Sequence, residues 1–310
     1  MPLRLEIVPD KAVGVWREKT LAAASWFGPA VLRPYVYPFL GPDGQELTRL
    51  GHPLDLVGHS HHRSIWIGHH DLSGVSFWEE ARGCGRIEQV GAEVLAAEGE
   101  TVRVRLECLW KAADGKLIAI EDRSLEFTDL GDALALEIGI ELRPGSKETP
   151  LVLGDTPFGL LGIRVARTMS VAAGLGGAIL NSNEGENEKG CHWQHADWCD
   201  YSGPVVAFPP AGGGQAPPAG AAPPPPGPGL PAAMAGIACF NHPANGPEDT
   251  LWHVRDDGWM GPCISKGGAR TVPPDGALKA RYRIEGHRGR PAEAGIAERY
   301  REWRRKAAPR

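Results

Sequence analysis

A chain of 310 residues with 33 basic and 38 acidic side chains, net charge -5, carries no basic stripe for neutralising phosphates, which excludes nucleic acid as a partner. No window approaches the roughly 20 apolar residues of a membrane-crossing helix, and the first residues lack the apolar run and cleavage site of a secretory signal. The six cysteines form no Cys-x-x-Cys pair, so a soluble, cytoplasmic chain with free thiols and no membrane contact is expected.

In chain order, turn chemistry appears first at Gly41-Pro42-Asp43-Gly44 and returns at Ala113 to Lys116, Asp129 to Asp132 and Arg143 to Ser146. Between these turns, Val102, Val104, Leu106, Cys108 and Trp110 alternate with Arg103, Arg105 and Glu107, the pattern of a strand wet on one side. The same period recurs over Leu134 to Leu142 and over Leu278 to Ile284. Residues 209–233 collapse into Pro, Ala and Gly and read as a flexible loop insertion, extending a hairpin between strands at Val205 to Phe208 and Ile237 to Phe240. A helical period appears only at the end, where Ile296, Tyr300 and Trp303 recur behind Pro291 and predict a helix over 291–306. The expected fold is mostly β: a large antiparallel β-sandwich forming a single domain over 1–310, with a C-terminal helix on its outside.

Five of the eleven histidines lie between His59 and His70. In an extended segment His59 and His61 share one face while His62 takes the other, a spacing suited to gripping a metal or a polar substrate. The same imidazoles also read as groups that satisfy buried backbone. Arg63 adds anion-recognising donors just before the apolar run Ile65-Trp66-Ile67. His69, His70, Asp71, Phe77 and Trp78 follow, too aromatic a stretch for an ordinary loop, and Trp78 is either core or a stacking face for sugar C–H surfaces.

Downstream, His192 to Tyr201 repeats the mixture of imidazole, indole and carboxylate. Trp193 is a further stacking candidate there, and Asp200 and Tyr201 are acid/base candidates or else a turn Asp and a rim Tyr. In Trp252-His253-Val254-Arg255-Asp256, alternation sets His253 and Arg255 on one side and Trp252, Val254 and Asp256 on the other. His253 is then placed to exchange a proton while Arg255 holds an oxyanion, unless Arg255 forms a structural pair with an Asp.

Seven short segments stand in an order that resembles the family named methane oxygenase PmoA-like, a DUF6807-type domain of unknown function. They are Arg33-Pro34-Tyr35-Val36-Tyr37-Pro38, Gly41-Pro42-Asp43-Gly44, His61-His62-Arg63-Ser64-Ile65-Trp66, Gly74-Val75-Ser76-Phe77-Trp78, Asp200-Tyr201-Ser202-Gly203, Ile237 to Pro243, and Trp252-His253-Val254-Arg255. The resemblance implies a soluble β-sandwich similar to the galactose-mutarotase-like supersandwiches that handle carbohydrates, with site roles for His61, His62, Arg63, Asp200, Tyr201, His242, His253 and Arg255. Methane oxidation is not implied, because the membrane subunit behind that name needs transmembrane helices. The chain departs from the family pattern at Gly58 and Asn241, where relatives carry Asp, which weakens any inherited metal assignment.

The leading expectation is a carbohydrate-active enzyme of epimerase, lyase or hydrolase type. His61, His62, Asp200 and His253 would move protons, and Arg63, Trp66, Trp78, Tyr201, His242, Trp252 and Arg255 would bind a sugar or oxidised sugar. One alternative is a divalent-metal-dependent enzyme, in keeping with the oxygenase name, with His59, His61 and His253 as ligands. Another is a noncatalytic sugar-binding module supporting an oxidoreductase partner. Convergence of His61, His62, Asp200, His253 and Arg255 on one concave surface is the geometric test of the enzyme readings.

Overall fold

The computed structural model describes residues 2–51, 59–206, 232–246 and 250–307. Five strands come first: β1 (Leu3–Val8), β2 (Ala12–Arg17), β3 (Thr20–Trp26), β4 (Tyr35–Phe39) and β5 (Ile65–His69). Then β6 (Arg86–Ala96), β7 (Glu98–Gly99), β8 (Thr101–Lys111), β9 (Leu117–Asp129) and β10 (Ala133–Pro144) form the long middle run. They are followed by β11 (Leu151–Leu153), β12 (Gly159–Arg164), β13 (Ala178–Asn181), the short helix α1 (Asn187–Cys191) and β14 (Trp198–Val206). The last elements are β15 (Ala232–Asn241), β16 (Leu251–Arg255), β17 (Trp259–Cys263), β18 (Arg270–Val272), β19 (Leu278–Arg288) and helix α2 (Ile296–Ala307).

These strands build two large antiparallel sheets. The first runs β16-β17-β12-β5-β4-β3-β2-β1-β7 and the second β13-β14-β15-β19-β10-β9-β8-β6, while β11 and β18 make a separate pair. The alternation read from the sequence sets the faces. Val102, Val104, Leu106, Cys108 and Trp110 of β8 and Leu134 to Leu142 of β10 send their apolar sets inward. There they meet Val13, Val36, Ile65, Ile67, Ile163, Trp252 and Val254 of the first sheet in one core. The outer face of the second sheet is partly wet, with cross-strand pairs such as Arg105–Asp122 at 2.7 Å and Arg103–Glu126 at 2.5 Å.

Helix α2 covers another part of that outer face, packing Ile296, Tyr300 and Trp303 on Trp198, Ala238 and Phe240. It starts five residues later than the periodicity suggests. Gly295 adopts φ +65°, a left-handed conformation that a helix does not continue through, so residues 291–295 are turns. Of the 209–233 insertion, Ala232 and Ala233 belong to β15, and 209–231 lie outside the described residues, as does Gly58. No helix among the described residues is long and apolar enough to cross a membrane.

Candidate functional site

The outer face of the first sheet is lined with rings because each strand there alternates core and outward residues. In β5, Ile65 and Ile67 enter the core and Trp66 faces out; in β16, Trp252 and Val254 enter and His253 faces out. Tyr35 and Tyr37 of β4 and Trp259 of β17 join Trp66 on that face, and Trp78 packs over them from a loop. Gly162 of β12 makes the space: a Cβ there would stand 2.8 Å from the Trp66 ring and 2.9 Å from that of Trp259.

The rings form a continuous belt. His62 packs edge-on against His61 at 4.6 Å and lies 5.2 Å from both Trp66 and Trp259. Trp66, Trp78 and Trp259 sit 5.2–5.4 Å from one another. Trp78 then stacks on Phe158 at 5.5 Å, Phe158 meets His253 at 5.4 Å, and Trp193 stacks on His253 at 4.8 Å. The middle of the belt is enclosed, with Trp66 and Trp78 1% and Trp259 3% exposed. Its two ends are half-open, at His61 and Arg63 on one side and at Phe158, His192 and Trp193 on the other.

At the first end, Arg63 holds Glu80 with two hydrogen bonds, Nε to Oε1 at 3.0 Å and Nη2 to Oε2 at 2.6 Å. Buried Arg33 lies 3.6 Å from the same carboxylate and donates to the His61 carbonyl, which fixes the backbone of the histidine run. Burial, reinforced by Arg33 and His59, pushes the His61 imidazole down to about 4. His62 is driven lower still by burial and by Arg164.

At the other end, burial lowers His253 to about 4 against the raising effect of the Pro157 carbonyl. That carbonyl lies 3.1 Å from Nδ1 and only accepts, so Nδ1 carries the hydrogen and the lone pair of the neutral ring is on Nε2. Cys263 donates its thiol hydrogen to the same carbonyl at 2.6 Å, fixing the loop that carries Phe158.

The fold therefore gathers His61, His62, Arg63, Trp66, Trp78 and His253 along one belt and sends the other sequence-derived candidates elsewhere. Asp200 lies on the outer face of the second sheet, buried and bonded to His287 at 2.6 Å, so it does not serve as acid or base beside His253. Tyr201, its neighbour in β14, points the opposite way into the core. Its hydroxyl donates to the Asp256 carbonyl at 2.9 Å and ties the second sheet to the β16–β17 turn.

Trp252 is enclosed in the core, its indole N–H donating to Ala196 O at 2.9 Å, and is no stacking face. Arg255 is exposed and pairs with Glu188 at 3.2 Å. His242 caps the turn at Ala244 and packs edge-on against Trp303, where it lines a cleft of about 820 Å³ with Glu298, Arg301 and Arg305. Among the described residues no group of three or more His, Cys, Asp or Glu is placed to hold a metal ion, and His253 meets Phe158, His192, Trp193 and Trp259 rather than His59 or His61. The metal triad does not fit this geometry.

Sequence reasoning does not reach Trp259, Phe158 or Glu80, and names Arg33 only as part of a family motif. Trp259 was available to the alternation argument, as the outward residue of the strand paired with β16, whereas Phe158 and Glu80 sit in loops without a period.

Residues 29–301 match a family model described as a family of unknown function, DUF6807. No curated protein matches. Among solved structures that match, one described as "Crystal Structure Analysis of HI1317" aligns over 93% of this chain and 99% of its own, at 9% identity and a TM-score of 0.27. A likeness at that level carries no argument about the fold or the site.

Proposed function

The chain belongs to the DUF6807 family, a family of unknown function, and from that premise we propose that it is a carbohydrate-active enzyme in which a neutral histidine takes a proton from a sugar or oxidised sugar. The observation that carries this reading is His253: an imidazole held uncharged by burial, its Nε2 lone pair set by the Pro157 carbonyl, flanked by the half-open rings of Phe158 and Trp193. Flat rings beside a base suit the apolar C–H faces of a pyranose. At the far end of the belt, His61 is a second neutral imidazole beside Arg63, which holds Glu80 through Nε and Nη2 and to which we give the role of orienting substrate oxygens through Nη1.

Of the three reaction types considered, hydrolysis by the usual pair of carboxylates is the least supported, because Asp200 is committed to His287 on another face. Epimerisation and elimination need only a positioned base and groups that stabilise the resulting carbanion, and these fit the belt better. No metal-dependent step is proposed, because His61 and His253 stand at opposite ends of the belt and, among the described residues, no group of three or more His, Cys, Asp or Glu is placed to hold a metal ion. A second reading, sugar binding without turnover, draws its support from the same commitment of Asp200, which leaves His253 without the acid partner expected for it.

Proton abstraction is read by NMR as deuterium exchange from D2O into the C–H positions of a panel of neutral and oxidised sugars. The wild type is expected to catalyse exchange, and His253→Gln to slow it by roughly 10²–10⁴-fold with binding largely retained. Sugar binding with no exchange in any member of the panel would transfer support to the noncatalytic reading.

A further inference from the structure

The enclosed middle of the belt holds an unusual set of unpaired polar atoms. The indole N–H groups of Trp66, Trp78 and Trp259 are buried with no acceptor, as are Nε of Arg33 and Nε of Arg164. Nδ1 of His62, a ring 5% exposed, is buried and unpaired beside them. An indole nitrogen and a guanidinium Nε only donate, so these five atoms lack acceptors, while Nδ1 of the neutral His62 ring donates or accepts according to its tautomer. The side chains belong to one cluster: the centroids of the three indoles lie within 5.4 Å of one another, that of His62 lies 5.2 Å from two of them, the Arg33 guanidinium sits 5.9 Å over Trp66, and Arg164 is the register partner of Trp259 across β12 and β17. Native proteins leave few such groups unmatched, and five unmatched donors in one cluster call for a common partner.

Charge points the same way. Arg33 and Arg63 share the single carboxylate of Glu80. On the other side, Arg164 takes the Asp257 carboxylate while Arg49 donates to the Asp257 backbone carbonyl. Among the described residues Glu80 thus faces two guanidiniums, while the Asp257 carboxylate takes Arg164 and its backbone carbonyl takes Arg49. Burial pushes the Arg33 guanidinium down to about 10 against the raising effect of Glu80.

From this geometry we infer that the belt takes the oxyanion end of its ligand, a carboxylate or a phosphate, on the N–H groups of Trp66, Trp78 and Trp259 with His62. This rests on the carbohydrate reading and narrows it from sugars in general to anionic sugars. The neutral part of the ring then extends toward Phe158, Trp193 and the His253 base.

Binding is measured by indole fluorescence and ligand-induced thermal shift with D-galactose, D-galacturonate, D-galactose 6-phosphate, acetate and inorganic phosphate. The wild type is compared with Trp259→Phe and Trp78→Phe, which keep a ring and delete the N–H. An anionic sugar is expected to bind at least tenfold more tightly than galactose, the carboxylate and phosphate arms identifying which anion is taken. Each Phe variant is expected to weaken the anion by roughly tenfold and galactose hardly at all. The melting temperature of the unliganded variants is expected to hold or rise, because an unsatisfied donor has been removed. The control Trp252→Phe, which deletes an N–H bonded to Ala196, should lose stability instead.

Equal affinity for galactose and galacturonate would overturn the oxyanion inference and leave the carbohydrate reading standing. Binding of acetate or phosphate that responds to the Phe variants, with no sugar bound, would do the reverse. A fall in melting temperature for both Phe variants at unchanged anion affinity would place those N–H groups in internal contacts and overturn the inference.

Discussion

His253 is buried, neutral and oriented by the Pro157 carbonyl, so its reactivity is concentrated at one atom, Nε2. The consequence for pH is direct. An ordinary histidine loses half its free base near pH 6.5, but a ring pushed down to about 4 keeps its lone pair throughout pH 5–7. Exchange dependent on His253 is therefore expected to be flat across that range and to fall only toward pH 4. A half-maximal rate near 6.5 would show a solvated ring and defeat the assignment. Period-two reasoning on the sequence places His253 opposite Trp252 and Val254, as in the structure, and the same rule separates Asp200 from Tyr201. Applied strictly, it would have removed Trp252 and one member of the Asp200–Tyr201 pair from any shared site. Residues that cluster along the chain are thus dispersed in space by strand alternation.

Strands β14 and β19 bury an ionisable pair, Asp200 and His287, that the sequence did not announce. Nδ1 of His287 donates to the Arg288 carbonyl at 3.1 Å, and Nε2 lies 2.6 Å from the Asp200 carboxyl, an arrangement that favours the protonated ring. Burial opposes that charge, but Asp200 and the hydrogen bonds outweigh it and the pKa is raised. Stability from a raised group is fully present below the unfolded value of about 6.5 and is lost as pH rises through the folded one. Denaturant midpoints should therefore fall on the alkaline side. Asp200→Ala is expected to cost about 3–5 kcal/mol and to abolish that dependence, while Asp200→Asn should cost less, because its amide can donate to a neutral Nε2. An Asp200→Ala protein with wild-type stability would show that the pair contributes nothing. Aspartate and histidine 87 positions apart become neighbours only through the pairing of β15 between their strands, which no local pattern encodes.

At the scale of the molecule, what was legible was the material of the sandwich: strands wet on one side, tight turns, and one terminal amphipathic helix. What was not legible was the order β16-β17-β12-β5, which lays residues 251–263 beside residues 159–164 and 65–69. The belt exists only because of that order, and it has a kinetic consequence. Pairing β5 with β12 and β12 with β17 closes two successive loops of about 90 residues, each at an entropic cost of roughly 4 kcal/mol that is met only once most intervening contacts have formed. Neighbouring hairpins such as β8–β9 and β9–β10 have no such debt and should form early. In stopped-flow refolding, the near-ultraviolet signal of the packed indoles is expected to lag behind far-ultraviolet strand formation, and simultaneous recovery would refute that order of events. The ring-lined face is then the last part of the molecule to come into being, so a nascent or partly folded chain has strands but no belt.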